Sequence, residues 1–130
     1  MAAAQGGDAA YIDDPSLFPV CAHIVPVKAE AAGWLRHMDT AAIGRVSVSL
    51  GAGRETADAP IDHAAGIVLA RKTGDQVRPG DVLAWLHTND ESALPGAEAA
   101  YRAALTFGDE PPAPRRETYA MVTEQGVEYR

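Results

Sequence analysis

At 130 residues, 47% apolar and only 6% aromatic, the chain is one domain's worth of protein with an alanine-rich core rather than a large aromatic-lined pocket. A formal net charge of -7 and a pI of about 4.9 work against gripping a phosphate backbone, which needs clustered Lys and Arg, and suit a soluble cytoplasmic protein. The single cysteine, Cys21, excludes an intrachain disulfide and a thiolate metal cage, and no window approaches the ~18 apolar residues of a membrane span.

The first residues, Met1 to Gly7, carry no Lys or Arg and no long apolar stretch, so they do not form a signal peptide. Their alanines read as the last turn of a helix closed by Gly6 and Gly7, and a chain that opens this way reads as a fragment. Asp13, Asp14, Pro15 and Pro19 make residues 8–19 a linker with turns. Residues 1–19 are therefore expected to be the end of a preceding unit, and 20–130 the domain itself. Cys21, between Val20 and Ala22, is expected to be a small buried hydrophobe.

Ile24, Val25 and Val27 predict a strand over 21–29, with Pro26 favouring an edge or a bulge. Residues 34–38 predict a second strand after the break at Gly33. Asp39 or Thr40 then caps a helix whose Ile43, Val46, Ser47 and Leu50 share one face. Gly44 inside that helix costs about 1 kcal/mol against alanine, so a close backbone approach is expected there. Glycines punctuate the helix end at Leu50-Gly51-Ala52-Gly53-Arg54. An acidic loop through Asp58, Pro60 and Asp62 follows, and residues 66–70 predict a short buried strand. Two turns, Lys72-Thr73-Gly74-Asp75 and Arg78-Pro79-Gly80-Asp81, flank Gln76-Val77, with Val77 expected in the core. Residues 82–87 predict a strand, and residues 93–106 a helix with Ala97, Tyr101 and Leu105 on one face. Pro111, Pro112 and Pro114 stiffen a connector, and Tyr119 to Val122 is a last strand or an extended tail. There is no internal repeat.

The titratable residues make no recognisable catalytic or metal motif. His23, His37, His63 and His87 stand at no i, i+4 spacing on a predicted helix. His87, beside Thr88-Asn89-Asp90, is expected to serve a turn hydrogen bond. The carboxylate pairs Asp13/Asp14 and Asp58/Asp62 lie in proline-bearing loops, where turn and cap roles are the expectation. Trp34 and Trp85 read as core or interface anchors. Arg115-Arg116 is a lone basic pair in an acidic chain and calls for no nucleic-acid partner.

Taken in order, these motifs carry a resemblance. Ala4-Gln5-Gly6-Gly7-Asp8 is similar to the "AQGGD" that ends a helix of the α/β domain in pyrimidine-nucleoside and thymidine phosphorylases. Gly33-Trp34, Met38-Asp39, Ile43-Gly44 and Leu50-Gly51-Ala52-Gly53-Arg54 resemble the family's "sGyv…iD", "iG" and "LGAGR". Ile61-Asp62, Gly66-Ile67, Lys72 to Val77 and Pro79-Gly80-Asp81 resemble "ID…vGi…kkGD.V..Gd". Any one of these is weak, but the ordered set spans nearly the whole chain.

The resemblance implies an α+β domain, the family's α/β-hammerhead, with a β-hammerhead motif shared with barrel-sandwich hybrids and a mostly antiparallel sheet with two or three helices. It implies the C-terminal domain of a pentosyltransferase in which phosphate cleaves a pyrimidine nucleoside to free base and pentose 1-phosphate. The family's phosphate and base sites lie in N-terminal helical and α/β domains, and this chain has no GGxGDK-like phosphate loop. No catalytic residue, metal ligand or cofactor site is therefore carried over, and the chain alone is expected to be inactive. The implied partners are the remaining domains of the same enzyme, itself a homodimer, with phosphate and nucleoside bound only by the intact protein.

What does carry over is the loop Leu50, Gly51, Ala52, Gly53 and Arg54, which in the family lies near the interdomain cleft. Two readings of it stand: a structural turn, because a helix C-terminus is the wrong end for phosphate, or a contact across the cleft through Arg54. The rival to the whole assignment is a free-standing hammerhead carrier or adaptor. Lys72 is the residue a carrier would modify, but Arg71-Lys72-Thr73 matches neither the lipoyl nor the biotinyl pattern, so a solvated turn lysine is expected.

Overall fold

The computed structural model describes residues 1–54, 56–114 and 119–129; the Arg115-Arg116 pair lies outside them. In chain order the elements are a short α1 (Ala10–Asp13), β1 (His23–Lys28), β2 (Gly33–Met38), α2 (Thr40–Ser47), β3 (Gly66–Leu69), β4 (Gln76–Val77), β5 (Val82–Thr88), α3 (Leu94–Ala103), β6 (Leu105–Gly108), β7 (Ala120–Thr123) and β8 (Gly126–Tyr129). The class is α+β, as expected. All strand pairings are antiparallel and build sheets of order β1-β5-β3 and β4-β2-β6, with β7 and β8 as a separate hairpin.

Strand β5 forms the centre of the first sheet because it is the longest apolar run, and it buries Leu83, Ala84 and Leu86. Pro26 sits on β1, an edge strand, where its missing N–H breaks no ladder. The turns on either side of β4 are built alike. Gly74 and Gly80 adopt φ of +101° and +89°, a region where a side chain is strained. The aspartate after each glycine closes its turn: Asp75 accepts from the Lys72 N–H at 2.8 Å and Asp81 from the Arg78 N–H at 3.1 Å. Between them Val77 is buried, as expected.

The Asp39 carboxylate caps α2 by accepting the Ala42 N–H at 2.9 Å. At eight residues α2 is too short to persist alone, so burial of Val46, with Ile43 packed against the core, holds it. Helix α3 opposes it and buries Ala97 and Tyr101, leaving an alanine-lined groove of about 710 Å³ between the two. The core joins these helices to both sheets through Val27, Leu35, Val77, Leu86 and Leu105.

Several expectations are corrected. The helix expected over 93–106 stops at Ala103, and Leu105 opens β6, which pairs with β2. Leu105 lies in the core as its spacing from Ala97 and Tyr101 suggested, but on a strand. Gly44 makes no close approach, since a Cβ there would meet nothing within 4 Å. The alanines of the first residues form only one 3-10 turn, Ala3–Gln5, closed by Gly6 at φ +81°. No residue before Cys21 is buried. Tyr11 and Phe18 meet edge to face with centroids 5.1 Å apart, and both stay exposed. Among the described residues no helix is long and apolar enough to cross a membrane.

Candidate functional site

The glycine-punctuated loop begins where α2 runs on into one wide turn, Val48–Ala52. Leu50 is buried in the core. Gly51 then takes φ +110°, and its carbonyl accepts the Asp62 N–H at 2.9 Å. A Cβ on Gly51 would lie 3.3 Å from the Asp62 Cβ and 3.4 Å from the Ala65 Cβ, so conformation and space both select glycine. Gly53 is fixed differently: its backbone is extended, but a Cβ would come within 2.7 Å of Val48 Cγ2. Ala52 and Gly53 are half-buried, and Arg54 is exposed at the loop's outer end.

Thr88 anchors this loop. It is completely buried at the end of β5, and its hydroxyl donates to the Leu50 carbonyl at 2.8 Å while accepting the Asp90 N–H at 3.0 Å. Beside it Asn89 is a two-way clamp. Its side-chain carbonyl accepts the Ala22 N–H at 2.7 Å, and its amide donates to Asp62 Oδ2 at 2.7 Å. The other oxygen of Asp62 accepts the Ala64 N–H at 2.9 Å. The Ala64 N–H, then the Asn89 amide, hold the Asp62 carboxyl below its usual value. Asp90 is held low in the same way by the Ser92 hydroxyl and then the Ser92 N–H. Cys21 is buried, and burial followed by the nearby Asp62 charge pushes its thiol up. It stays protonated and poorly nucleophilic at neutral pH.

Four segments thus converge: the end of α2, the turn at 62–65, the end of β5 and the entry to β1. Their polar groups are consumed in holding one another, and the loop's carbonyls, the negative end of a helix, face inward onto donors. This arrangement can position a rigid loop and present one cation, Arg54. Among the described residues it offers no activated nucleophile and no donor cradle for phosphate.

Of the sequence expectations, the loop Leu50 to Arg54 is continuous and its Asp62 neighbour serves a turn, as does Asp14, which caps the 3-10 turn Pro15–Leu17. The turn hydrogen bonds expected of His87 are made by Thr88 and Asn89. Leu50 lies in the core, on the same side as Val46, and Trp34 is half-buried. The four histidines are scattered over β1, β2, β5 and the acidic loop. Among the described residues no three His, Cys, Asp or Glu side chains gather as a metal site. Lys72 sits on an exposed turn. Sequence reasoning missed the roles of Thr88 and Asn89, whose signal was present: two polar residues following His87 where the apolar run of β5 ends.

Comparison with known proteins decides the family. A profile of the pyrimidine nucleoside phosphorylase C-terminal domain matches residues 34–108. The chain belongs to that family. The pyrimidine-nucleoside phosphorylase of Geobacillus stearothermophilus is 42% identical over 89 residues, covering 68% of this chain and 21% of that protein. Those of Staphylococcus haemolyticus and Bacillus subtilis are 40% and 42% identical over 88 residues, each covering 68% of this chain and 20% of the relative. The chain thus matches about a fifth of the length of these phosphorylases, corresponding to one domain of a larger enzyme. The profile runs from β2 to β6 of the phosphorylase domain and takes in the Leu50–Arg54 loop, both Gly-Asp turns and Thr88. Strand β1 and the β7-β8 hairpin lie outside it.

Proposed function

We propose that this chain is the bracing domain of a pyrimidine-nucleoside phosphorylase, residues 20–130 forming the domain and 1–19 the end of what precedes it. In the intact cytoplasmic enzyme, a homodimer, phosphate would cleave thymidine or uridine to base and pentose 1-phosphate. The domain supports the α/β part and forms one wall of the cleft, with Leu50 to Arg54 as the wall loop and Arg54 its polar contact. The observation that carries this reading is the anchored loop: Thr88 and Asp62 fix its backbone from inside, so Arg54 stands on a rigid base. A cleft wall works by excluding water and holding its position as the site closes. The hammerhead arrangement belongs to the same reading, supported by the β1-β5-β3 sheet and the twin turns at Gly74 and Gly80.

The test is a phosphorolysis assay. The purified 130-residue chain alone should release no thymine or uracil from thymidine or uridine with phosphate present. Fused in place of the matching C-terminal fifth of the Geobacillus phosphorylase, it should support activity, and Arg54→Ala should raise KM. Phosphate-dependent base release by the isolated chain, or an inactive fusion, overturns the reading.

A further inference from the structure

The register of the first sheet sorts its side chains into two faces. Pro26, Trp85 and Val68 are directly opposed across β1, β5 and β3, and Ile24, His87 and Gly66 form the neighbouring row. Directly opposed residues share a face, and rows alternate between faces. The rows Val25-Leu86-Ile67 and Val27-Ala84 therefore face the core, with Leu69 beside Ala84 left 40% exposed at the sheet edge, and the rows of Trp85 and His87 face outward. An antiparallel sheet with one solvated face normally turns polar residues to water. Here His87 is the one polar side chain in the two outward rows, and three apolar residues are uncovered: Val68 is 55% exposed, Ile24 42% and Trp85 38%. Neither outward row carries a carboxylate, a lysine or an arginine, so the face has no electrostatic claim on a membrane surface or a charged partner.

We propose that this outer face of the β1-β5-β3 sheet is the surface by which the domain docks on an apolar face of the rest of its phosphorylase chain, an inference that rests on the bracing role above. Size argues for this occupant over a second copy. Three strands ~4.8 Å apart crossed by two rows ~7 Å apart make a patch far below the ~800 Å² each side of a stable free dimer. A tethered partner needs less, because the tether holds it at about millimolar effective concentration. The relatives carry the mass to cover it, with four-fifths of their length outside the matched stretch. Ahead of β1 in the chain, Ile12, Phe18 and Val20 are likewise 67%, 56% and 71% exposed.

The experiment uses the whole 130-residue chain fused in place of the matching C-terminal fifth of the Geobacillus phosphorylase. Val68→Glu and Ile24→Glu put charge on the proposed face, and Ala100→Glu puts the same charge in the α2-α3 groove. Both face residues are exposed, so melting of the isolated variant chains checks that folding is intact. The expected result is a tenfold or greater loss of kcat/KM in both face variants, a lowered fusion melting temperature, and near-parent behaviour of Ala100→Glu. Trp85 fluorescence should be quenched by iodide in the isolated chain and protected in the fusion. An active fusion whose face variants match the parent, or whose Trp85 stays quenchable, overturns the docking face and leaves the bracing role standing. A parent fusion without activity overturns both.

Discussion

Thr88→Val removes one hydroxyl from the centre of the loop anchor and changes little else. Valine keeps the shape of threonine, so no cavity opens, but the Leu50 carbonyl loses its donor and the Asp90 N–H its acceptor. An unpaired buried polar group costs about 1–3 kcal/mol. The Leu50 carbonyl, inside the core, takes the middle of that range, and the Asp90 N–H, nearer the surface, the low end. A methyl in place of the hydroxyl returns about 0.8 kcal/mol of apolar burial. The net expectation is a destabilisation of about 2 kcal/mol, or roughly 8 °C in Tm for a domain of this size. Urea and thermal unfolding followed by far-ultraviolet circular dichroism measure it. Thr88→Ser is the comparator: it keeps the hydroxyl, gives up a methyl, and should lose only about 1 kcal/mol. The Asp62 amide, bonded to Gly51, should exchange faster in Thr88→Val and not in Thr88→Ser. A valine variant as stable as the parent, with serine the weaker of the two, would refute the reasoning, because position 88 would then be packing a methyl rather than anchoring a carbonyl.

Tyr101 is buried, its hydroxyl has no partner among the described residues, and burial raises its pKa to about 12; Tyr101→Phe should therefore raise stability by about 1 kcal/mol, read from the urea midpoint. The glycines should split: Gly51→Ala should cost about 1–2 kcal/mol because φ is +110° and Asp62 and Ala65 crowd the site, whereas Gly44→Ala, facing open space in α2, should gain about 0.5–1 kcal/mol. Asp62 is held below its usual 3.8 in the fold by the Ala64 N–H and Asn89, so its stabilisation is present above pH 3.8 and drains away as pH falls through the folded-state value; Asp62→Asn should lower stability at pH 7 and flatten the acid limb of the stability profile. Cys21 should resist thiol reagents in the native chain and react on unfolding, which a time course with a chromogenic disulfide follows.

Most of the strand order was readable because its punctuation is local. Two identical Gly-Asp turns fix β4 and the start of β5 whatever lies around them, and a proline in β1 announces an edge. The helix end at Ala103 was not readable, because Leu105 satisfies the same burial on a helix face as on a strand and the deciding partner, β2, lies some 70 residues earlier. Thr106 and Phe107, a β-branched and an aromatic residue after an alanine run, were the only local hint. At the candidate site the glycines at 51 and 53 flagged the loop, but glycine says only that the backbone is special. Which partners made it so, Thr88 and Asp62, was a matter of tertiary packing. Trp85 and Trp34 could not be ranked for exposure from strand pattern alone, since that needs to be known of each sheet: which face is covered.

Strand β1 has a consequence during synthesis. Among the described residues its one sheet partner is β5, whose residues leave the ribosome about 60 positions later. At ~5–20 residues per second, Ile24, Val25 and Val27 wait for several seconds with no ladder to join. An apolar strand idling that long is a template for pairing with another nascent chain. Pro26 sits in the middle of it and denies such a partner one of its hydrogen bonds. A proline that the finished edge merely tolerates thereby guards the unfinished chain, and replacing it with valine should lower soluble yield more than it changes the stability of protein already folded.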